Sequence, residues 1–189
     1  MCEITTGRLE VCKDVVGGID AIYFINYGDY SFPADVTYVA STDTIDAIAN
    51  VTSLYKYQLK GTNTFDQVIT TSRENGTSFV EQTLSVVLKK QDAATHKTVK
   101  LLSYGRPNVV IKTRNNQFFL AGIEHGMELT TANVSSGTAM GDLVGYTLTF
   151  VGTEKLLANL LDCTGETGAT GLAGTAGSVF GATTTIIAS

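Results

Sequence analysis

Asn75-Gly76 stands between two runs of β-forming residues, "NTFDQVITTS" ahead of "RENG" and "TSFVEQTLSVVLKK" behind it. An Asn-Gly pair accepts the positive φ angles of a tight hairpin turn at low cost, so this stretch specifies two antiparallel strands. The second arm, about residues 77 to 90, far exceeds a usual strand of about 5–6 residues. A hairpin of that length reaches beyond its own domain.

The rest of the chain follows the same pattern of short apolar runs cut by turn residues. "IDAIYFIN" (19–26), "DVTYVAS" (35–41) and "SLYKYQLKG" (53–61) read as strands before the hairpin. "NVVIKTR" turns at Asn115-Asn116 into "QFFLAG", and "LVGYTLTFVGTEK" alternates with Tyr146, Leu148 and Phe150 on one face. "MELTTANVSSGTAMGD" alternates weakly, and "LLANLL" reads as a last strand or a short helical turn. One segment differs. In "QDAATHKTVKLLSYGRP" (91–107), Asp92 is placed to cap a helix, Ala94, Val99, Leu101 and Leu102 form a stripe, and Gly105 with Pro107 ends it. The expected fold is mainly β, a sandwich or rolled barrel with one packed helix.

After Asp162 the composition shifts to Gly, Thr and Ala, which predicts a β domain over 1–162 and an extended arm over 163–189. From Gly165 to Gly177 a glycine stands at every third position, in "GETGATGLAGTAG". A triple helix needs many such triplets and ring residues, so this short, proline-free piece reads as a flexible linker. It leads to "ATTTIIAS", a strand-like end that wants a sheet edge. Donation to a neighbouring copy and docking on its own domain are both open from sequence, with Thr184, Ile186 and Ile187 as the contact residues.

Charged residues make up only 16% of the chain's 189 residues, and the net charge is −5. Few charges suit a Thr-rich surface or one that partners cover. The acidic balance argues against a protein that grips nucleic acid, but not against one that lets it slide past. Lys89, Lys90, Lys97 and Lys100 gather near the helix. They form either a solvated face or a patch that meets Asp66, Glu74 and Glu81 of another copy, an arrangement that sets register more than affinity. Cys2, Cys12 and Cys163 have no metal-like spacing and read as reduced thiols. No secretory leader and no membrane-length apolar run is read. His96 and His125 lack a ligand cluster in sequence, although Glu124 and Glu128 flank His125, and neither Cys12 nor Cys163 shows a local signature of a catalytic pair with either histidine. No catalytic, cofactor or metal residue is assigned, and no enzymatic activity is expected.

The order of features, with a strand-rich half holding a long hairpin, then one helix, then a closing set of strands, resembles the tail-tube fold of tailed bacteriophages. The stretch "NNQFFLAGIEHGMELTTANVSSGTAMGDLVGYTLTFVGTEKLLANLL" is similar to virion structural proteins of phages that infect Bacteroidetes-type hosts, of the crAss-like type, with "GTAMGDLVGYTLTF" the closest piece. The likeness covers about residues 64 to 162. It implies a virion protein of the tail or neck, assembled in the host cytoplasm into homo-hexameric or larger rings. Their sheets would join into a barrel around the DNA-ejection channel, beside neighbouring ring proteins and away from any membrane. Thr64 to Lys90 match the bridging hairpin, so Asp66, Glu74, Asn75, Gly76, Glu81, Lys89 and Lys90 are candidate interface residues. The Gly-rich tail is outside the basic tube fold and leaves a capsid decoration or head-fibre base protein as one alternative. A donor-strand adhesin subunit is another.

Overall fold

A computed structural model of the chain describes residues 7–10, 12–167 and 171–188. The fold is mainly β with a single helix among these residues. At its centre is a six-stranded sheet. Its middle strand β1 (Ile19–Ile25) pairs antiparallel with β4 (Ser53–Gln58) on one side and β7 (Asn108–Thr113) on the other. Outward from β7 come β8 (Phe118–Ala121) and the short β11 (Asn159–Leu160). Outward from β4 comes β12 (Thr185–Ala188), which runs parallel to it.

The alternation of β1 sorts its side chains to two different cores. Ile22 and Phe24 point to one side with Val109, Ile111 and Ala121. Ala21, Tyr23 and Ile25 point to the other with Val110, Phe118 and Leu120. A strand buried on both faces reads as an unbroken apolar run, as "AIYFI" does.

The first of these faces is covered by a four-stranded antiparallel sheet. It holds β5 (Thr64–Ser72), β6 (Thr77–Lys89), β10 (Gly145–Glu154) and β9 (Glu128–Ser135), in that spatial order. Leu84 and Val86 of β6 and Tyr146, Leu148 and Phe150 of β10 fill the space between the sheets. The inward alternation of β10 is as the sequence predicts. The helix α1 (Ala93–Leu102) closes one flank. The Asp92 carboxylate caps it by accepting the Thr95 N–H at 2.7 Å, and Val99 is its buried residue. Leu101 of the expected stripe instead faces solvent.

The second face carries the main departure from the sequence reading. It is covered by the hairpin of β2 (Val36–Val39) and β3 (Thr44–Ile48), and by the C-terminal segment. β3 was not among the expected strands. Leu172 and Ala173 are fully buried there, and Val179 and Phe180 nearly so, against Ile45, Ile48 and Leu54. The boundary expected after Asp162 therefore does not separate a domain from an arm. Residues 171–188 complete the core, and β12 docks in cis, beside β4. The reason is physical: Leu172, Val179 and Phe180 are bulky apolar side chains, and they sit among turns in which Gly174 and Gly177 take a φ of 88° and Gly181 a φ of 83°. Gly168, within the repeat, lies outside the described residues, as does Cys2. Cys12 and Cys163 are free thiols, and burial pushes the Cys163 thiol up to about 12. No helix among the described residues is long and apolar enough to cross a membrane.

Candidate assembly interface

The long hairpin forms as predicted. β5 and β6 pair in register from Thr64 opposite Ser85 to Ser72 opposite Thr77. Gly76 has a φ of 62°, the left-handed turn conformation that glycine tolerates, and the Asn75 N–H donates to Ser72 Oγ. The base of the hairpin is fixed by two glutamines on its core side. Gln82 is buried and accepts the Gly122 N–H at 2.9 Å through Oε1. Gln67 accepts the Ala158 N–H at 2.7 Å. Toward its tip the hairpin loses such support.

β6 and β10 occupy the middle of the four-stranded sheet, while β5 and β9 are its two edges. β5 has 9 residues and β9 has 8, so each carries a row of backbone donors and acceptors on its outer side, that of β9 met at one end by Gln91 Nε2, which donates to the Ser135 carbonyl at 2.8 Å. Both edges also overhang the core. Ile69 sits opposite the buried Val80 and points inward, yet is 55% exposed. Val134 sits opposite the buried Tyr146 and is 44% exposed. These apolar overhangs lie at opposite margins of one sheet.

The outward face of this sheet has a different chemistry. Register places Asp66, Thr83, Val151 and Glu128 in one row across four strands. Thr64, Ser85, Thr149 and Thr131 form the next, and Val68, Glu81 and Thr153 another. Neither apolar cluster includes a residue of this face. It is a hydroxyl surface with three carboxylates, and Lys89 stands alone at its far end.

The sequence-derived interface residues therefore fall into two groups. Asp66, Glu74, Asn75, Gly76, Glu81, Lys89 and Lys90 are all exposed on the hairpin. Eight residues of strand, about 26 Å, separate Glu81 from Lys89. None of the ion pairs among the described residues involves any of these charges. The two signs are thus held apart within one copy. Lys89 and Lys90 line an open polar groove of about 330 Å³ with Lys60 and Asp92. Thr184 and Ile186, by contrast, are consumed internally. Thr184 is buried with its hydroxyl within reach of the Val51 and Phe180 carbonyls, and Ile186 packs on the core. Ile187 stays 43% exposed beside Tyr55.

Sequence reasoning missed the anchor of the C-terminal segment. Glu166 receives Lys56 Nζ at 2.6 Å and Lys112 Nζ at 3.0 Å, and Lys112 also pairs with Asp20 at 3.1 Å. One carboxylate so ties the segment to β4 and β7, the two strands that flank β1. Burial alone would raise its pKa, but the two ammonium hydrogen bonds outweigh it and hold the carboxyl at about 2. A signal was present: Glu166 is the only charged residue after Asp162.

His125 also has a more specific setting than a plain surface turn. Its side chain, Glu124 and Glu154 bring ligand-type atoms within 4.8 Å of one another. Buried Glu154 accepts the backbone N–H of both Glu124 and His125 through Oε1, and Lys155 pairs with Glu124 at 3.1 Å. The carboxylates thus serve the 122–126 turn, where Gly126 has a φ of 76° and packs on the Arg106 carbonyl. Comparison of the chain with protein families, with curated proteins and with solved structures finds no match.

Proposed function

We propose that this chain is a bacteriophage virion structural protein. Its copies close into a homo-oligomeric ring, hexameric or larger, in the tail tube or neck, around a channel for genomic DNA. One observation carries the reading: the four-stranded sheet has two long open edges, each with an apolar overhang on its core side. Pairing β5 of one copy with β9 of the next continues the sheet, and circular closure leaves no edge unpaired. Ile69 and Val134 then come to the same seam.

The Thr-rich outer face, with Asp66, Glu81 and Glu128, turns toward the lumen. Its weak negative potential keeps a phosphate backbone from adhering. The work is mechanical and electrostatic, with no bond made or broken. The attribution to phage tails draws on the likeness of residues 64 to 162, and neighbouring tail or neck ring proteins are the further partners. The terminal strand lends this reading nothing, because it is already paired in cis. The Gly-rich repeat likewise lends little to a surface-fibre role, since Gly171, Leu172 and Ala173 within it are buried in the core.

Sedimentation velocity with electron-microscopic class averages tests the proposal. The expected result is a closed ring with a central hole, dispersed by Ile69→Lys or Val134→Lys. A monomer at every concentration overturns it.

A further inference from the structure

The loop between β9 and β10 presents an apolar knob that its own chain cannot bury. Met140 is fully exposed at its tip, with Leu143 and Val144 half-exposed beside it. The loop is nonetheless well held. Asp142 Oδ2 accepts the Thr138 N–H at 2.9 Å, the Thr138 hydroxyl at 2.9 Å and the Ala139 N–H at 2.7 Å. These hydrogen bonds hold the Asp142 carboxyl below the usual range. The backbone of such a fixed loop loses little further order on docking, and the methionine thioether packs well against aromatic rings.

A matching concavity lies elsewhere on the molecule. Between α1 and the six-stranded sheet is an open groove of about 470 Å³, within the usual range for binding sites. Tyr27, Tyr55, Tyr57, Leu101 and Leu102 line it, and Arg106 stands at the rim with its guanidinium 4.4 Å from the Tyr27 ring centre. Leu101 is 62% exposed, an unusual state for a leucine facing a groove. Tyrosine and arginine around an apolar floor are the composition of an interface hot spot.

The two features occupy opposite ends of the four-stranded sheet. The knob leaves the sheet where Gly145 pairs with Ser135 and Lys89. The groove lies by Pro107, whose carbonyl accepts the Met127 N–H, next to Glu128 opposite Val151. About 20 Å of β10 separates those ends, so Met140 cannot reach the groove of its own chain. The charges also complement each other, with Asp142 beside the knob and Arg106 beside the groove.

We propose that Met140 of one copy seats in the tyrosine-lined groove of a second copy, in a head-to-tail contact. The contact rests on the self-assembly reading above, and it adds an axial polarity to it. A knob and a groove on different surfaces make a heterologous contact, and with the two at opposite ends of the strands it extends along the strand axis, as a filament wherever the rotation does not close.

The test uses the full chain with Cys2→Ser, Cys12→Ser and Cys163→Ala. Met140→Cys and Leu101→Cys are prepared separately, mixed and oxidised mildly. The expected product is a disulfide-linked dimer holding one of each, at least about tenfold above either variant alone. Absence of that enrichment overturns the contact. In the native background, Met140→Glu and Leu101→Asp weaken end-to-end association by about tenfold or more, with unchanged circular dichroism. Both side chains are exposed, so folding is spared. Rings that persist while longer assemblies vanish support the proposal. Longer assemblies that survive both substitutions overturn it and leave the ring reading intact. A wild-type chain that stays monomeric overturns both.

Discussion

Two segments of this chain look alike as sequence and end differently as structure. The hairpin at 64–89 and the strand at 185–188 are both β-rich, and each has the sequence of a segment that pairs with a sheet edge. The terminal strand finds one within its own molecule, on β4. The hairpin keeps β5 open along its whole length. The difference is in what flanks each strand. β12 is drawn in by Leu172, Val179 and Phe180, apolar cargo that fits a gap in the core. On β5, Thr64, Asp66 and Gln67 gain little from burial, and Val68 and Ile69 stay more than half exposed because only the lower half of the strand touches the core. Strand pairing alone does not decide whether a segment stays free; the side chains beside it do.

The sharpest way to break this comparison is to cut the chain after Asp162. Burial of Leu172, Val179 and Phe180 contributes roughly 1.5–3 kcal/mol each, a large share of a typical stability of about 5–15 kcal/mol. The truncated protein is expected to lose its cooperative thermal transition, followed by circular dichroism. A cooperatively folded product would restore the separate arm. A milder form is Phe180→Ala, expected to cost about 3–5 kcal/mol in denaturant unfolding. The matching change on the hairpin, Val68→Ser, is expected to shift stability by no more than about 0.5 kcal/mol.

A third comparison uses pH. The Glu166 carboxyl lies at about 2 in the folded protein against an ordinary 4.5. Its contribution is therefore complete above pH 4.5 and is lost as pH falls toward 2, at most about 3 kcal/mol in all. Glu166→Gln should flatten that part of the stability–pH curve, measured by denaturant midpoints from pH 5 to 2. An unchanged acid limb would show that the anchor is not electrostatic. The most local effect belongs to Gly76→Ala, where an alanine meets no neighbour but must hold a φ of 62°. It is expected to cost about 1 kcal/mol and to speed amide exchange at the hairpin tip alone.

Much of this architecture was legible in the residues. Asn75-Gly76 gave the hairpin, Asp92 the helix start, and the alternation of Tyr146, Leu148 and Phe150 the inward face of β10. Local chemistry sets those features, so local reading finds them. The C-terminal segment was not legible in the same way. Its glycines describe a flexible chain in isolation, and only the distant core that holds Tyr23 and Leu120 explains why Phe180 is buried. The Glu166 anchor was hidden for the same reason, since Lys56 and Lys112 are brought to it by β4 and β7. The open edges of β5 and β9 depend on which strands end up in the middle, a property of topology that periodicity does not report.

The cis pairing of β12 with β4 also bears on how the protein reaches its native state. Thr184 meets Val51 across 133 residues of sequence. Closing so long a loop is entropically costly and comes late when non-local pairings dominate. Until then β4 is a bare margin beside a half-covered apolar sheet, open to the wrong strand from another molecule. The refolding yield of this chain is therefore expected to fall as protein concentration rises, followed by the circular dichroism recovered after dilution from denaturant.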